Sequence, residues 1–155
     1  DYILPTNQNT DETANWKTFT APILLSESDK SSSGLTSDPI MSIKYPPEWS
    51  IMKSSNNVGY AKFIEGEKEY TVRFNDAGRG LPPNLNITID NETYTIGSYT
   101  VQKGIFKQDG EIILMSATIG KDSINALILF DVPSINQQKY LRIYDQILST
   151  FRFTE

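Results

Sequence analysis

The feature that most constrains this chain is its punctuation. From Pro39 to Val132, apolar-rich runs of four to nine residues follow one another with turn residues between them. Such runs are short for helices and rich in the β-branched and aromatic side chains that favour strands. They are 40–45, 49–52, 58–64, 69–74, 85–90, 93–96, 99–106, 111–119 and 125–132. Glu65-Gly66, Asn75-Asp76, Asp90-Asn91, Gly97-Ser98, Asp109-Gly110 and Gly120 separate them. The strongest of these signals is "QDGE", which suits a two-residue hairpin joining Phe106 to Ile112. The middle of the chain therefore reads as antiparallel sheet.

One break in this rhythm carries a specific geometry. In "IKYPPEWSI", Pro46 and Pro47 cannot donate to a ladder and so end the strand that closes at Tyr45. Their fixed φ makes a stiff corner that aims Trp49 into the core as the next strand starts. Tyr45, Pro46, Pro47 and Trp49 are structural residues on this reading. Trp16 opens a short earlier strand, with Thr18 and Thr20 alternating against Lys17 and Phe19.

The ends differ from the middle. Residues 1–13 form a polar spacer; the chain begins at Asp1 and not at Met, and the expectation is a mature form whose leader or anchor has been removed. Ser26 to Pro39, a serine-rich run with acids and one glycine, has no apolar face and reads as loop. After Pro133 the period lengthens: Tyr140, Leu141, Tyr144, Ile147, Leu148 and Phe151 recur at helical spacing, and Ser134 with Gln137 suggests a capping box. An amphipathic helix over 135–151 is expected, its apolar face on a sheet and Gln138, Lys139, Arg142, Asp145 and Gln146 in solvent. The 155 residues suit one domain, assigned to 14–155.

Composition removes whole classes of chemistry. With no histidine and no cysteine, a Ser-His-Asp triad, a thiolate nucleophile and a His- or Cys-ligated metal are excluded. The net charge of −5 argues against a nucleic-acid partner, which needs clustered Lys and Arg. The acidity is concentrated in residues 1–39, where Asp1, Asp11, Glu12, Glu27, Asp29 and Asp38 face only Lys17 and Lys30. No run of about 18 apolar residues is present to span a bilayer as a helix.

The remaining candidates are few. "FNDAGRGLPPN" carries Asp76 and Arg79 between glycines, a loop that can cradle an anion or line a groove, though it lacks the strand-to-helix order of a phosphate loop. Asp90 and Glu92 offer oxygen ligands without EF-hand spacing. Asn86 and Asn91 head glycosylation triplets. Glu48, Glu65, Glu67, Glu69 and Glu111 are available to a carboxylate hydrolase, but all lie at turns or strand ends, where solvated acids are normal. Tyr94, Tyr99 and Trp16 are the aromatics whose exposure would mark a binding face.

"ANWKTFT", then "SIKYPPEWSI", then a closing "YDQILSTFRF" resembles bacterial extracytoplasmic proteins related to the PsbP family, whose plant members are extrinsic subunits of photosystem II. Tyr45, Pro46, Trp49, Ile147, Leu148, Ser149, Thr150 and Phe151 carry the resemblance, over residues 14–155. It implies an α+β fold, an antiparallel sheet covered by helices as an α/β/α sandwich, on a lipoprotein or membrane-anchored chain. The polar stretch 21–39 departs from the family's short link and reads as an insertion. The histidine metal sites of photosynthetic members have no counterpart here.

The resulting expectation is a monomeric, non-catalytic module at the cell surface or in the periplasm, held to the membrane by an N-terminal anchor, without cofactor, and binding a protein of the cell envelope through loop 75–84 and the 21–39 insertion. A domain holding a small ligand or glycan is the alternative, and a carboxylate hydrolase a more distant one.

Overall fold

A computed structural model of the chain describes residues 13–23, 27–53, 59–65, 68–74, 86–121 and 124–154. In chain order its elements are β1 (Lys17–Pro22), α1 (Glu27–Ser33), β2 (Ile40–Tyr45), β3 (Ser50–Lys53), β4 (Gly59–Glu65), β5 (Lys68–Phe74), β6 (Ile87–Ile96), β7 (Tyr99–Gln108), β8 (Glu111–Lys121), β9 (Ile124–Asp131), α2 (Gln137–Ser149) and β10 (Arg152–Thr154).

Side-chain alternation builds two antiparallel sheets. β2 is the centre of a small one, between β1 and β10, and buries Met41, Ile43 and Tyr45 while β1 buries Phe19 and Ala21. The large sheet has seven strands in the order β3-β4-β5-β9-β8-β7-β6, every neighbouring pair antiparallel. Its register lines up three rows on one face: Val72, Phe130, Met115, Ile105 and Asp90; Ile128, Ala117, Lys103 and Glu92; Ala126, Ile119, Val101 and Tyr94. Residues directly opposite in an antiparallel pair share a face, so this inner face is apolar at β9 and charged at β6.

The small sheet and α2 cover the apolar part of that face. Phe63 of β4 meets the rings of Tyr45 at 5.0 Å, Trp49 at 5.7 Å and Phe19 at 6.4 Å. Trp49 is wholly buried, and its N–H donates to Pro46 O at 3.1 Å, which closes the corner; Pro46 is buried and Pro47 exposed. On α2, Tyr140, Tyr144, Ile147 and Leu148 face inward. Tyr144 stacks on Phe130 at 4.6 Å and its hydroxyl donates to Asp131 O at 2.6 Å. The chain then turns through Thr150, whose hydroxyl donates to Ile147 O at 2.6 Å and accepts from Lys44 N–H at 2.8 Å, and buries Phe151. That bond ties the end of the helix to the small sheet.

Several expectations need correction. The fold is α+β and dominated by antiparallel sheet, and among the described residues α2 packs on one face of the large sheet, so the expected cover of helices is met only in part. α2 spans 137–149, not 135–151. Ser134 forms no capping box; the N-cap is Asn136 in the left-handed region, with no side-chain capping bond. Gln137 instead donates through Nε2 to Ile112 O at 2.6 Å and Pro133 O at 3.1 Å. The runs 85–90 and 93–96 are one strand, β6, with Asp90 and Asn91 inside it. The run 26–39, expected as loop, holds α1 at residues 27–33, and the insertion expected over 21–39 begins inside β1, with Ala21 and Pro22 in the strand and Ile23 buried. Lys30 pairs with Glu27 at 3.8 Å and Asp38 at 3.4 Å, and Ile23 N–H donates to Pro39 O at 2.8 Å, pinning the two ends of the connection together. The Asp109-Gly110 hairpin does form, with both residues at positive φ.

Candidate functional site

Strand alternation puts Lys103 on the inner face of β7, between the core-facing positions Val101 and Ile105. An ammonium there must find partners or reach water. Lys103 does both. Its Nζ donates to Asp145 Oδ1 on α2 at 2.9 Å and lies 3.7 Å from Glu92 Oε2 on β6, with 14% of the side chain exposed. Lys107, four residues further along β7, lies 2.9 Å from Asp90 Oδ2.

Helical spacing supplies the other wall. Gln138, Leu141, Arg142 and Asp145 recur along the side of α2 that looks toward β6, and with Lys103 and Ile105 they line an open groove of about 370 Å³. Its lining is aliphatic at Ile105 and Leu141 and charged at Lys103, Arg142 and Asp145. Asp145 is held by Lys103, whereas Arg142 is exposed and makes no ion pair with any described residue.

Tyr94 sits beside this groove, opposite Val101. Burial, then the carboxylates of Asp145 and Glu92, push its hydroxyl up to about 12. All three causes favour the neutral phenol, which remains a hydrogen-bond donor at ordinary pH. The Tyr45 hydroxyl is also raised, by burial alone.

The residues singled out in the sequence fall in different places. Asp76 and Arg79, with the whole of 75–85, lie outside the described residues, as do residues 1–12 of the spacer. Tyr94 borders the groove. Tyr99 does not: it is half-buried at the joint between the sheets, with edge contacts to Phe151 at 6.0 Å and Phe153 at 5.2 Å, and its oxygen accepts from Phe153 N–H at 3.2 Å. Trp16 is half-buried against the core. Among the described residues no group of three or more acids could hold a metal ion, and no helix is long and apolar enough to cross a membrane.

Lys103 and Ile105 were not singled out, and Gln138, Arg142 and Asp145 read as ordinary solvated helix surface. The groove exists because β7 and α2 meet in space, 42 residues apart at Lys103 and Asp145. One signal was available: a lysine at a core-facing position of an otherwise apolar alternation, Val101-x-Lys103-x-Ile105.

No family model and no curated protein matches the chain. Among solved structures, the chain is similar to the solution structure of cyanobacterial PsbP (CyanoP) from Synechocystis sp. PCC 6803, at 10% identity and a TM-score of 0.43, over 88% of this chain and 92% of that one.

Proposed function

We propose that this chain is a non-catalytic accessory module of the cell envelope that binds another protein, and that the contact is the groove between α2 and the β6–β7 edge. The observation that carries this reading is the shape and chemistry of the groove. It is open to solvent, and its lining combines the aliphatic Ile105 and Leu141 with charged Lys103 and Asp145 and a guanidinium, Arg142, without an ion-pair partner among the described residues. Small-molecule sites are concave and enclose most of their ligand; an open groove of this kind suits a polypeptide laid along it. An extracytoplasmic setting is supported by the resemblance carried by Tyr45, Pro46, Trp49 and the closing ILSTF segment. The reading calls for no cofactor and no reacting group.

A photo-crosslinking residue placed at Gln138, on the groove wall, tests it, with one at Glu111, on the far hairpin, as the control. In the envelope fraction of the source cells, one protein should be captured from Gln138 and not from Glu111, and Arg142→Glu should reduce that capture several-fold. Equal capture from both positions, or capture indifferent to Arg142→Glu, would remove the groove as the contact.

A further inference from the structure

We propose that the free edge of β6 takes up an extended segment of a partner protein, bearing lysine or arginine at alternate positions, as an eighth strand of the large sheet. The proposal rests on the groove being a protein contact, because β6 pairs with the strand that lines it: Asp90 lies opposite Ile105 and Glu92 opposite Lys103.

Among the described residues two open sheets leave four edge strands, and exposed edges are normally blunted by shortness, proline, lysine or a bulge. β3 has four residues; β10 has three and carries Arg152; β1 contains Lys17 and ends in Pro22. β6 is different. It runs for ten residues without proline or lysine, and its register with β7 is unbroken from Ile87 opposite Gln108 to Ile96 opposite Tyr99. Among the described residues β7 is its only strand partner. Backbone donors and acceptors on the other side are therefore presented in a long, regular row, which is the template that strand addition uses.

Charge then selects the occupant. β6 carries Asp90 and Glu92 on its inner face and no cation; Lys107 and Lys103 of β7 pair with them at 2.9 and 3.7 Å, yet 66% and 62% of the two acidic side chains remain exposed. A second copy of this chain fits badly. If two β6 strands paired antiparallel with their inner faces continuous, residues 87–95 or residues 88–96 would pair most completely. The first register sets Asp90 against Glu92 of the other copy, twice, and the second sets Glu92 against Glu92. Like charges directly opposite are unfavourable in either case. A segment with Lys or Arg two residues apart instead faces both acids at once, from the side opposite Lys103 and Lys107.

The probe is a short fluorescent peptide alternating lysine and valine, titrated into the whole chain by anisotropy beside a glutamate–valine peptide. Two further versions of the lysine peptide are N-methylated on one or the other alternate set of amides. The lysine peptide should bind about tenfold or more tighter than the glutamate peptide, and D90K/E92K should reverse that preference. One methylated version should lose about tenfold or more while the other keeps its affinity, because only one set of amides points at β6. D90N/E92Q, which keeps side-chain size, should sit between wild type and reversal, and thermal unfolding confirms that each variant is folded.

Equal binding of the two charge types, or tolerance of both methylations, would overturn strand addition. So would a dimer of the chain by sedimentation that D90K/E92K disrupts, since the occupant would then be a second copy. Peptide binding abolished by Arg142→Glu but indifferent to D90K/E92K would overturn the edge proposal while leaving the groove as the contact. Binding at β6 without any crosslink from Gln138 would overturn the groove and, with it, the basis of the edge proposal as a partner site.

Discussion

The row Ile128, Ala117, Lys103, Glu92 crosses four strands of one sheet and two environments. At β9 and β8 it is dry, beneath Tyr144 and the rest of the inner face of α2. At β7 and β6 the same row emerges beside the helix as an ammonium held between two carboxylates. The neighbouring row does likewise, from Phe130 to Asp90. The small sheet and α2 together cover the large sheet's inner face as far as β8 and stop short of β6, so the same backbone geometry is a core on one side and a charged shelf on the other. Side-chain burial stabilises the first end; the second contributes little to stability and is free to serve recognition.

The largest effect is expected at the Trp49 corner. Trp49→Ala empties the wholly buried site against Phe63 and should cost about 3–5 kcal/mol in denaturant unfolding. If the two ends are independent, lysine–valine peptide affinity under conditions where the variant remains folded should be unchanged.

A smaller effect is expected where the helix tail meets the small sheet. Thr150→Val leaves Lys44 N–H without its acceptor and should cost about 1–2 kcal/mol, again by denaturant unfolding and again without effect on the shelf.

At the shelf itself the ordering reverses. Asp145→Asn removes a half-exposed ion pair and should lower stability by no more than about 1 kcal/mol. It also removes one of the charges that raise Tyr94, so the Tyr94 phenol should titrate lower, seen by tyrosinate absorbance against a Tyr94→Phe background. A large loss of stability from Asp145→Asn would mean that the shelf belongs to the core after all.

The smallest signal is in pH. Tyr94 titrates at 10.0 in the unfolded reference and about 12 in the folded chain. Below the first value both forms are protonated and the residue contributes no slope. Between the two values the unfolded chain loses its proton first, so stability falls as pH rises, and above the folded value the slope ends. Tyr94→Phe should lessen the wild-type decline across that alkaline window, with the Tyr45 contribution remaining, and leave neutral pH unchanged.

Much of this division could be read in the sequence and part could not. The strands of the large sheet announce themselves because alternation and turn chemistry are local. Asp109-Gly110 is a turn wherever it stands. Asp90-Asn91 has similar chemistry and is not one, because the ten-residue pairing with β7 outweighs the turn preference of the pair. α1 hides in a serine-rich run because seven residues at weak propensity are held by Lys30 and by the closed ends of the connection, not by an apolar stripe. The N-terminus of α2 shifted because Gln137 found Ile112 O on β8, a partner 25 residues away. The groove was illegible for the same reason: its two walls are apolar-period positions and solvated helix positions that acquire meaning only when β7 and α2 are brought together.

Native-state amide exchange of the whole chain, with and without the lysine–valine peptide, tests the division most directly. In the free protein β6 amides should exchange well before those of β8 and β9, and the peptide should slow alternate β6 amides while leaving β8 and β9 unaltered. β6 amides protected as strongly as β9 in the free protein, or unaltered by saturating peptide, would contradict it.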